Sequence, residues 1–436
     1  MPEPERQHRA LYQEMERTVP SSCDERRSWI DRRRYLQGGI AALAALAFTG
    51  SGAHAAVSFA QWAESFRQRA NARGISDATY DRVMKDLKPD TSVYALDRAQ
   101  PEFNEELWQY INRRVSDWRI GVGRLRAKEY AKLLAKLQHD TGVDRYIMLG
   151  VWGMESAFGD VIEDPKYMRP VFPALAALAW GEPRRQRYWE KELLNALDIV
   201  QRGWAKPEQM TGSWAGAMGH TQWMPEVWLH MGVDYDHDGR IFPFGKPDDA
   251  LAGTARYFNE RGKYRRGEAW GCEAHLPDGF NTRLADRRTW RTYGQWHKLG
   301  VTRADGKPFA HAGHRARLWL PAEGGPAFLL GPNFYAVRSY NPSYNYTLAL
   351  VLLGDRIRGE GPLHQQFPGG ERAPTVAELQ EMQRRLIALG YDPGGTDGRV
   401  GSSTMRAVQK YQMRVGIDPA DGYPGLKVLA RLRQGS

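Results

Sequence analysis

A carboxylate on the apolar stripe of a helix is the feature that most restricts what this chain can fold into. In the stretch Asp144 to Asp160, DRYIMLGVWGMESAFGD, Asp144 can cap a helix start. Ile147, Val151 and Glu155 then recur at i, i+4 and i+8, with Met148 and Trp152 beside them. A helix patterned this way buries that face, and Glu155 with it. Loss of hydration there penalises the charged form, which favours a protonated carboxyl suited to general acid work. Ser156, Ala157 and Gly159 follow. Small residues and a glycine predict that the helix ends at this point and leaves its last turn open to a ligand. The same pattern also fits a Glu at a helix end that simply points to water, so this stretch leaves both readings open.

With 436 residues the chain is long enough for two or three domains and a large core. The formal charge of +10 favours an acidic partner such as nucleic acid, an anionic membrane or the bacterial cell wall, and does not choose among them. Fifteen Trp and 20 Tyr suit a ring-lined groove, but a large core absorbs rings as well.

Residues 1–55 read as an export leader. A polar segment leads to Asp31-Arg32-Arg33-Arg34-Tyr35-Leu36-Gln37, then an Ala-rich apolar run from Ile40 to Phe48, then Ala53-His54-Ala55 as a cleavage site. Arg32 and Arg33 make the pair of a twin-arginine-type motif, with Tyr35 and Leu36 its hydrophobic part. An apolar run of roughly ten residues is too short to span a bilayer, which favours cleaved export to the periplasm over an anchor. The leader carries only +1 of the net charge, so the basic character belongs to residues 56–436. Of the two cysteines, Cys23 falls in the leader and Cys272 remains, which excludes an intramolecular disulfide in a mature chain.

Residues 56–358 read as one mainly α catalytic region with a small β insertion. Helical spacing runs from Phe59 to His139, including Glu105 to Trp118 and Lys128 to His139. In Gly212 to Pro225, GSWAGAMGHTQWMP, three glycines allow close backbone approach to a ligand or to another helix, while Ser213 and Gln222 offer hydrogen bonds. Asp234, Asp236 and Asp238 occupy positions 1, 3 and 5 of an EF-hand-like loop, Gly239 position 6, and Arg240 offers its carbonyl at position 7. This predicts a structural calcium site. Position 12 is Gly245, so the last carboxylate must come from Asp248 or Asp249. Residues 261–334 carry short strand-like runs at Arg317 to Leu320 and Phe328 to Leu330, and helix resumes over Asn345 to Ile357. Residues 359–374 have linker composition. Residues 375–436 then show helices at Val376 to Leu389, Ser402 to Val415 and Leu426 to Leu432, a three-helix module.

Taken together and in order, GMESAFG, SWAGAMGHTQWMP, the Asp-rich loop, Ala255-Arg256-Tyr257-Phe258 and NFYAVRSYN resemble the B-type family of membrane-bound lytic murein transglycosylases. The last 60 residues, with LGYDPGGTDGRVGSSTMRAVQKYQ, are similar to the helical peptidoglycan-binding domain of wall enzymes. The resemblance implies a lysozyme-like helical domain and cleavage of the N-acetylmuramic acid to N-acetylglucosamine bond without water, leaving 1,6-anhydro ends. It makes Glu155 the single acid and then base. It puts Tyr110, Ser213, Gln222, Tyr257, Tyr340, Asn341 and Tyr346 on the groove, and Asp234, Asp236, Asp238, the Arg240 carbonyl and Asp249 on calcium. The family loop lacks one residue present here in Gly245-Lys246-Pro247. The implied partners are peptidoglycan glycan strands, with other cell-wall enzymes left open and no nucleic acid; no catalytic cofactor is implied. Two alternatives stand beside this reading: a lysozyme-type hydrolase with a second acid such as Asp160, and a non-catalytic wall-binding protein.

Overall fold

The computed structural model describes residues 57–98 and 105–435. The export leader lies outside the described residues. Along the chain come α1 (Phe59–Ala72), α2 (Asp77–Met84), α3 (Val93–Arg98), α4 (Leu107–Arg114), α5 (Asp117–Glu129), α6 (Ala131–Thr141) and α7 (Arg145–Ser156). Strand β1 (Arg169–Pro170) leads into α8 (Val171–Gly181) and α9 (Gln186–Gln201). Next are β2 (Thr211–Gly212), α10 (Pro225–Met231) and α11 (Asp248–Glu260). The insertion holds β3 (Gly271–His275), β4 (Arg291–Thr292), α12 (Tyr293–Lys298), β5 (Thr302–Arg303), β6 (Arg315–Trp319) and β7 (Ala327–Leu330). Helices α13 (Pro332–Arg338), α14 (Tyr344–Arg358), α15 (Val376–Ala388), α16 (Ser402–Val415) and α17 (Leu426–Arg433) complete it. The protein is mainly helical with a small sheet, as its sequence pattern predicts.

The helical run around 105–130 is cut more finely than its spacing suggests. Val115 leaves helical geometry, and the Ser116 side chain then caps α5 by accepting from the Arg119 N–H. A second break at Tyr130 starts α6 at Ala131, later than the periodicity predicts.

The chain divides into two compact units, 57–98 with 155–257 and 105–154 with 258–435 among the described residues. In the first, α8 is apolar all round, with Val171, Phe172 and Ala174 to Ala179 buried; its Pro173 sits in the first turn, where no helical N–H is needed. Helix α9 lays Trp189, Leu193, Ala196, Leu197 and Val200 against it at helical spacing.

In the second unit α7 and α14 cross at backbone distance. A Cβ on Gly150 would stand 2.7 Å from the Leu350 carbonyl oxygen, and one on Gly354 2.6 Å from that of Tyr146. Any side chain at either position would push the helices apart. The insertion forms an antiparallel sheet in the order β4-β6-β7-β3-β5, with Leu318 facing Leu329 across β6 and β7. Its small core gathers Cys272, Trp296, Val301, Leu318 and Leu329. Burial pushes the Cys272 thiol up to about 12, which makes it an inert packing group.

Residues 375–435 build their own core from Met382, Leu386, Val408, Tyr411, Leu429 and Leu432. This module packs on α4 and α5. Trp108 meets Tyr423 edge to face, Asn112 Nδ2 donates to the Tyr423 hydroxyl at 2.9 Å and to the Glu371 carbonyl at 2.8 Å, and the Arg399 guanidinium lies 3.8 Å from the Trp118 ring centroid. The linker-like segment is held as well. The backbone N–H groups of His364 and Gln365 both donate to the Glu273 carboxylate at 2.8 Å, and Phe367 is buried.

Candidate active site

Glu155 stands one residue before the end of α7 and is 9% exposed. The helix stops because Ala157, Phe158 and Gly159 all take positive φ, at 51°, 62° and 90°. Two successive non-glycine residues in that region are costly, on the order of 1 kcal/mol each, and packing must hold them there. Part of that hold is Ser156, fully buried, whose Oγ donates to the His220 carbonyl at 2.6 Å and accepts from the Gly159 N–H at 2.9 Å. The last turn carrying Glu155 is thereby tied to the loop 212–225.

That loop is a compact knot of backbone hydrogen bonds. Met218 and Trp223 exchange N–H to carbonyl bonds at 2.8 Å each, and Ser213 pairs with Ala217 through both its N–H and its Oγ. Its glycines serve packing. A Cβ on Gly219 would lie 2.3 Å from the Pro243 carbonyl oxygen, and one on Gly212 2.4 Å from that of Ala217. Trp223 Nε1 donates to Thr254 Oγ1 at 3.0 Å, and the Gln222 amide donates to the Gly219 carbonyl at 3.0 Å while Gln222 itself sits at φ 54°. Ser213 and Gln222 are each 9% exposed, and Tyr257 on α11 is half-buried. Glu155, Ser213, Gln222 and Tyr257 all belong to one compact unit.

The other four residues predicted for the groove belong to the second unit. Tyr110 is half-buried on α4, with the Arg113 and Arg114 guanidiniums 5.5 and 5.4 Å from its ring centroid. Tyr340 and Asn341 lie in the loop between α13 and α14; Asn341 Oδ1 accepts from the Ser343 N–H at 3.1 Å, and Tyr340 meets Phe258 edge to face. Tyr346 is 1% exposed, inside α14's packed face. Periodicity overlooked Arg119, which is buried on α5. Its Nε donates to the Gly153 carbonyl at 3.3 Å and its Nη1 to the Arg113 carbonyl at 3.1 Å. The Gly153 carbonyl is one of the α7 C-terminal acceptors left open by the helix, and a cation there suits the negative end of the helix dipole. No local pattern in the sequence marks that role.

The Asp-rich loop brings carboxylate oxygens of Asp234, Asp236 and Asp249 within 4.8 Å of one another. Asp249, the later of the two candidates, is oriented by accepting from the Tyr235 and Phe242 N–H groups at 2.8 Å each. Burial raises its pKa above the usual carboxylate range, and the charges of Asp236 and Asp234 add to this. Asp238 turns toward Arg240, whose Nε lies 3.3 Å from its Oδ2, so it stands outside the group of three. The donor set is all oxygen and anionic, which fits a hard divalent cation.

Residues 58–355 match the transglycosylase SLT domain family, and residues 375–432 match a peptidoglycan binding domain. The chain belongs to the SLT transglycosylase family. It is a lytic transglycosylase with a lysozyme-like fold, and it cleaves the glycan strands of peptidoglycan. Among solved structures, this transglycosylase is 39% identical to SltB3 from Pseudomonas aeruginosa, with 86% of this chain and 99% of that one covered and a TM-score of 0.68. That structure holds NAG-anhNAM-pentapeptide. Slt35 from Escherichia coli, solved in complex with calcium, is 27% identical over 68% of this chain and 92% of its own, with a TM-score of 0.56. The membrane-bound lytic murein transglycosylase B of Escherichia coli strain K12 is 28% identical over 282 residues, which is 63% of this chain and 73% of that protein.

Proposed function

We propose that Glu155 alone serves as acid and then as base, and that the products carry 1,6-anhydromuramic ends. Glycosidases that use water need two carboxylates, one to protonate the leaving oxygen and one to activate water or attack carbon. Here Glu155 gives its proton to the glycosidic oxygen between N-acetylmuramic acid and N-acetylglucosamine as the C1–O bond breaks. The carboxylate then takes the proton of the muramic 6-hydroxyl, whose oxygen bonds to C1, and Glu155 is again protonated. No water is consumed. The observation that carries the reading is the burial of Glu155 on a helix end fixed by three left-handed residues and the Ser156 to His220 bond. A group held in this way needs little reorganisation as the proton moves.

In this reading Ser213, Gln222 and Asn341 supply hydrogen bonds to sugar and N-acetyl groups, Tyr110, Tyr257 and Tyr340 supply ring and hydroxyl contacts, and the buried Tyr346 backs the groove from inside α14. Asp234, Asp236 and Asp249 hold a calcium ion that braces the loop, with Asp238 and the Arg240 carbonyl in reach of the same turn; calcium in the Slt35 relative supports this. The module at 375–432 holds the enzyme on the wall. Export to the periplasm follows from the Arg32-Arg33 leader, and among the described residues no helix is long and apolar enough to cross a membrane. Mass spectrometry of digested sacculi tests the mechanism. Anhydro ends are expected; reducing ends would transfer the enzyme to the hydrolases, and intact sacculi would reduce it to a wall binder.

A further inference from the structure

Where the β insertion meets α13 and α14, arginines and rings interleave. The guanidiniums of Arg287 and Arg338 lie 4.7 and 4.3 Å from the Tyr344 ring centroid, and that of Arg317 lies 4.3 Å from Trp290 and 4.9 Å from Tyr335. Three cations thus share one cluster of rings. Among the described residues no carboxylate forms an ion pair with any of the three, and the Nε atoms of Arg317 and Arg338 are buried without a hydrogen-bond partner. The carboxylate in the nearby turn, Asp286, is occupied by the Thr289 hydroxyl and the N–H groups of Arg288 and Thr289. Arg287 is held at φ 54° by a turn whose N–H donates to the Leu318 carbonyl. A strained residue that aims a cation at a ring suggests that the cation is wanted there.

A guanidinium flat on a ring keeps its in-plane N–H edge for a bidentate acceptor, and like charges gathered without counter-charges call for an anion. Position in the chain says which anion. Arg338 and Tyr344 bracket residues 339–343, the loop that bears Tyr340 and Asn341. A glycan strand on those two residues would bring its peptide arms, each with free carboxylates, close to the cluster.

We propose that Arg287, Arg317 and Arg338, stacked on Trp290, Tyr335 and Tyr344, bind the peptide-arm carboxylates of peptidoglycan and make the enzyme favour peptide-substituted over bare glycan. The inference rests on the glycan-cleaving reading of Tyr340 and Asn341, so two measurements are needed. In the first, kcat/KM is compared on strands with peptide arms intact and on strands stripped by an amidase. The ratio should exceed one for the wild type and fall at least about tenfold in Arg287→Gln/Arg338→Gln; an unchanged ratio overturns the proposal. The second needs no catalysis. Free stem pentapeptide is titrated while tryptophan fluorescence is followed, and the double variant should bind about tenfold more weakly than the wild type. A pentapeptide with its carboxylates amidated should lose binding to a similar extent. Equal binding of the amidated peptide, or preference for inorganic polyphosphate over the pentapeptide, overturns it. Peptide binding that depends on the arginines in an enzyme that cleaves neither strand would uphold the arginine site and sink the glycan reading. Should the double variant not fold, Arg287→Gln alone, at an exposed position, carries both tests.

Discussion

Ser156 Oγ donates to the His220 carbonyl oxygen at 2.6 Å, joining the residue after Glu155 to the middle of the loop 212–225, 64 positions later. Both groups are buried, so neither can exchange this bond for one to water. Ser156→Ala should therefore remove a buried hydrogen bond and cost about 0.5–1.5 kcal/mol of stability. Turnover should drop further than stability explains, because Glu155 loses its restraint. Urea melts paired with sacculus turnover check this; a variant with normal turnover would show that the bond only supports the fold.

Replacing Glu155 with Gln keeps the shape and removes the transferable proton. Turnover should fall by at least about a hundredfold, the usual scale of general acid catalysis. Melting temperature and binding to intact sacculi should stay near the wild type, as seen by calorimetry and co-sedimentation. Retained turnover would exclude Glu155 as the acid.

Calcium should stabilise the fold. The carboxylates of Asp234, Asp236 and Asp249 converge within 4.8 Å, and their mutual repulsion is relieved by a cation. At a hundredfold excess over its Kd the ion contributes about 2.7 kcal/mol, enough to raise the melting temperature by about 5 °C or more. Calorimetry in calcium and in chelator measures this, and Asp249→Asn should abolish the difference. Proton transfer through Glu155 needs no metal, so activity should persist in chelator at temperatures below the melt.

Asp355 predicts how stability varies with pH. Burial pushes its pKa up to about 6, partly opposed by Trp270 Nε1, which donates to it at 2.8 Å, and by the nearby Arg358 charge. A folded pKa above the unfolded one means that the folded state binds the extra proton. Its stabilising effect is whole below about pH 4 and is lost as pH rises through about 6. A shift of two units would amount to about 3 kcal/mol, but the side chain is 22% exposed, and solvent screening should cut this to about 1–2 kcal/mol. Denaturant melts at pH 4.5 and 7.5 should show the wild type losing that increment, and Asp355→Asn should flatten it.

The sequence alone determined the features that repeat locally or bring their own chemistry. The i, i+4, i+8 spacing pointed to α7 and to a buried Glu155, but every residue from Ile147 to Phe158 is buried, so packing on all sides of the helix, not one apolar stripe, encloses the carboxylate. Ala157 to Gly159 marked its end. The aspartates at positions 1 and 3 marked a candidate cation loop, since spacing within a tight turn is set by the backbone itself, whereas Asp238 at position 5 falls outside the converging group. The order of the motifs was enough to identify the family. Tertiary structure decided what depends on partners far apart in the chain. It gathered Asp249 with Asp234 and Asp236 and turned Asp238 toward Arg240, because carboxylate direction follows from which N–H groups it meets. Glycine is a poor helix former, and only the crossing of α7 and α14 shows why Gly150 and Gly354 stand there, since no Cβ fits at either position. Arg119 gives no signal in sequence, since the Gly153 carbonyl left open at the end of α7 comes within its reach only once two helices pack together. Charge composition shows that the chain is basic, but only the packing of the β insertion against α13 and α14 gathers Arg287, Arg317 and Arg338 around shared rings.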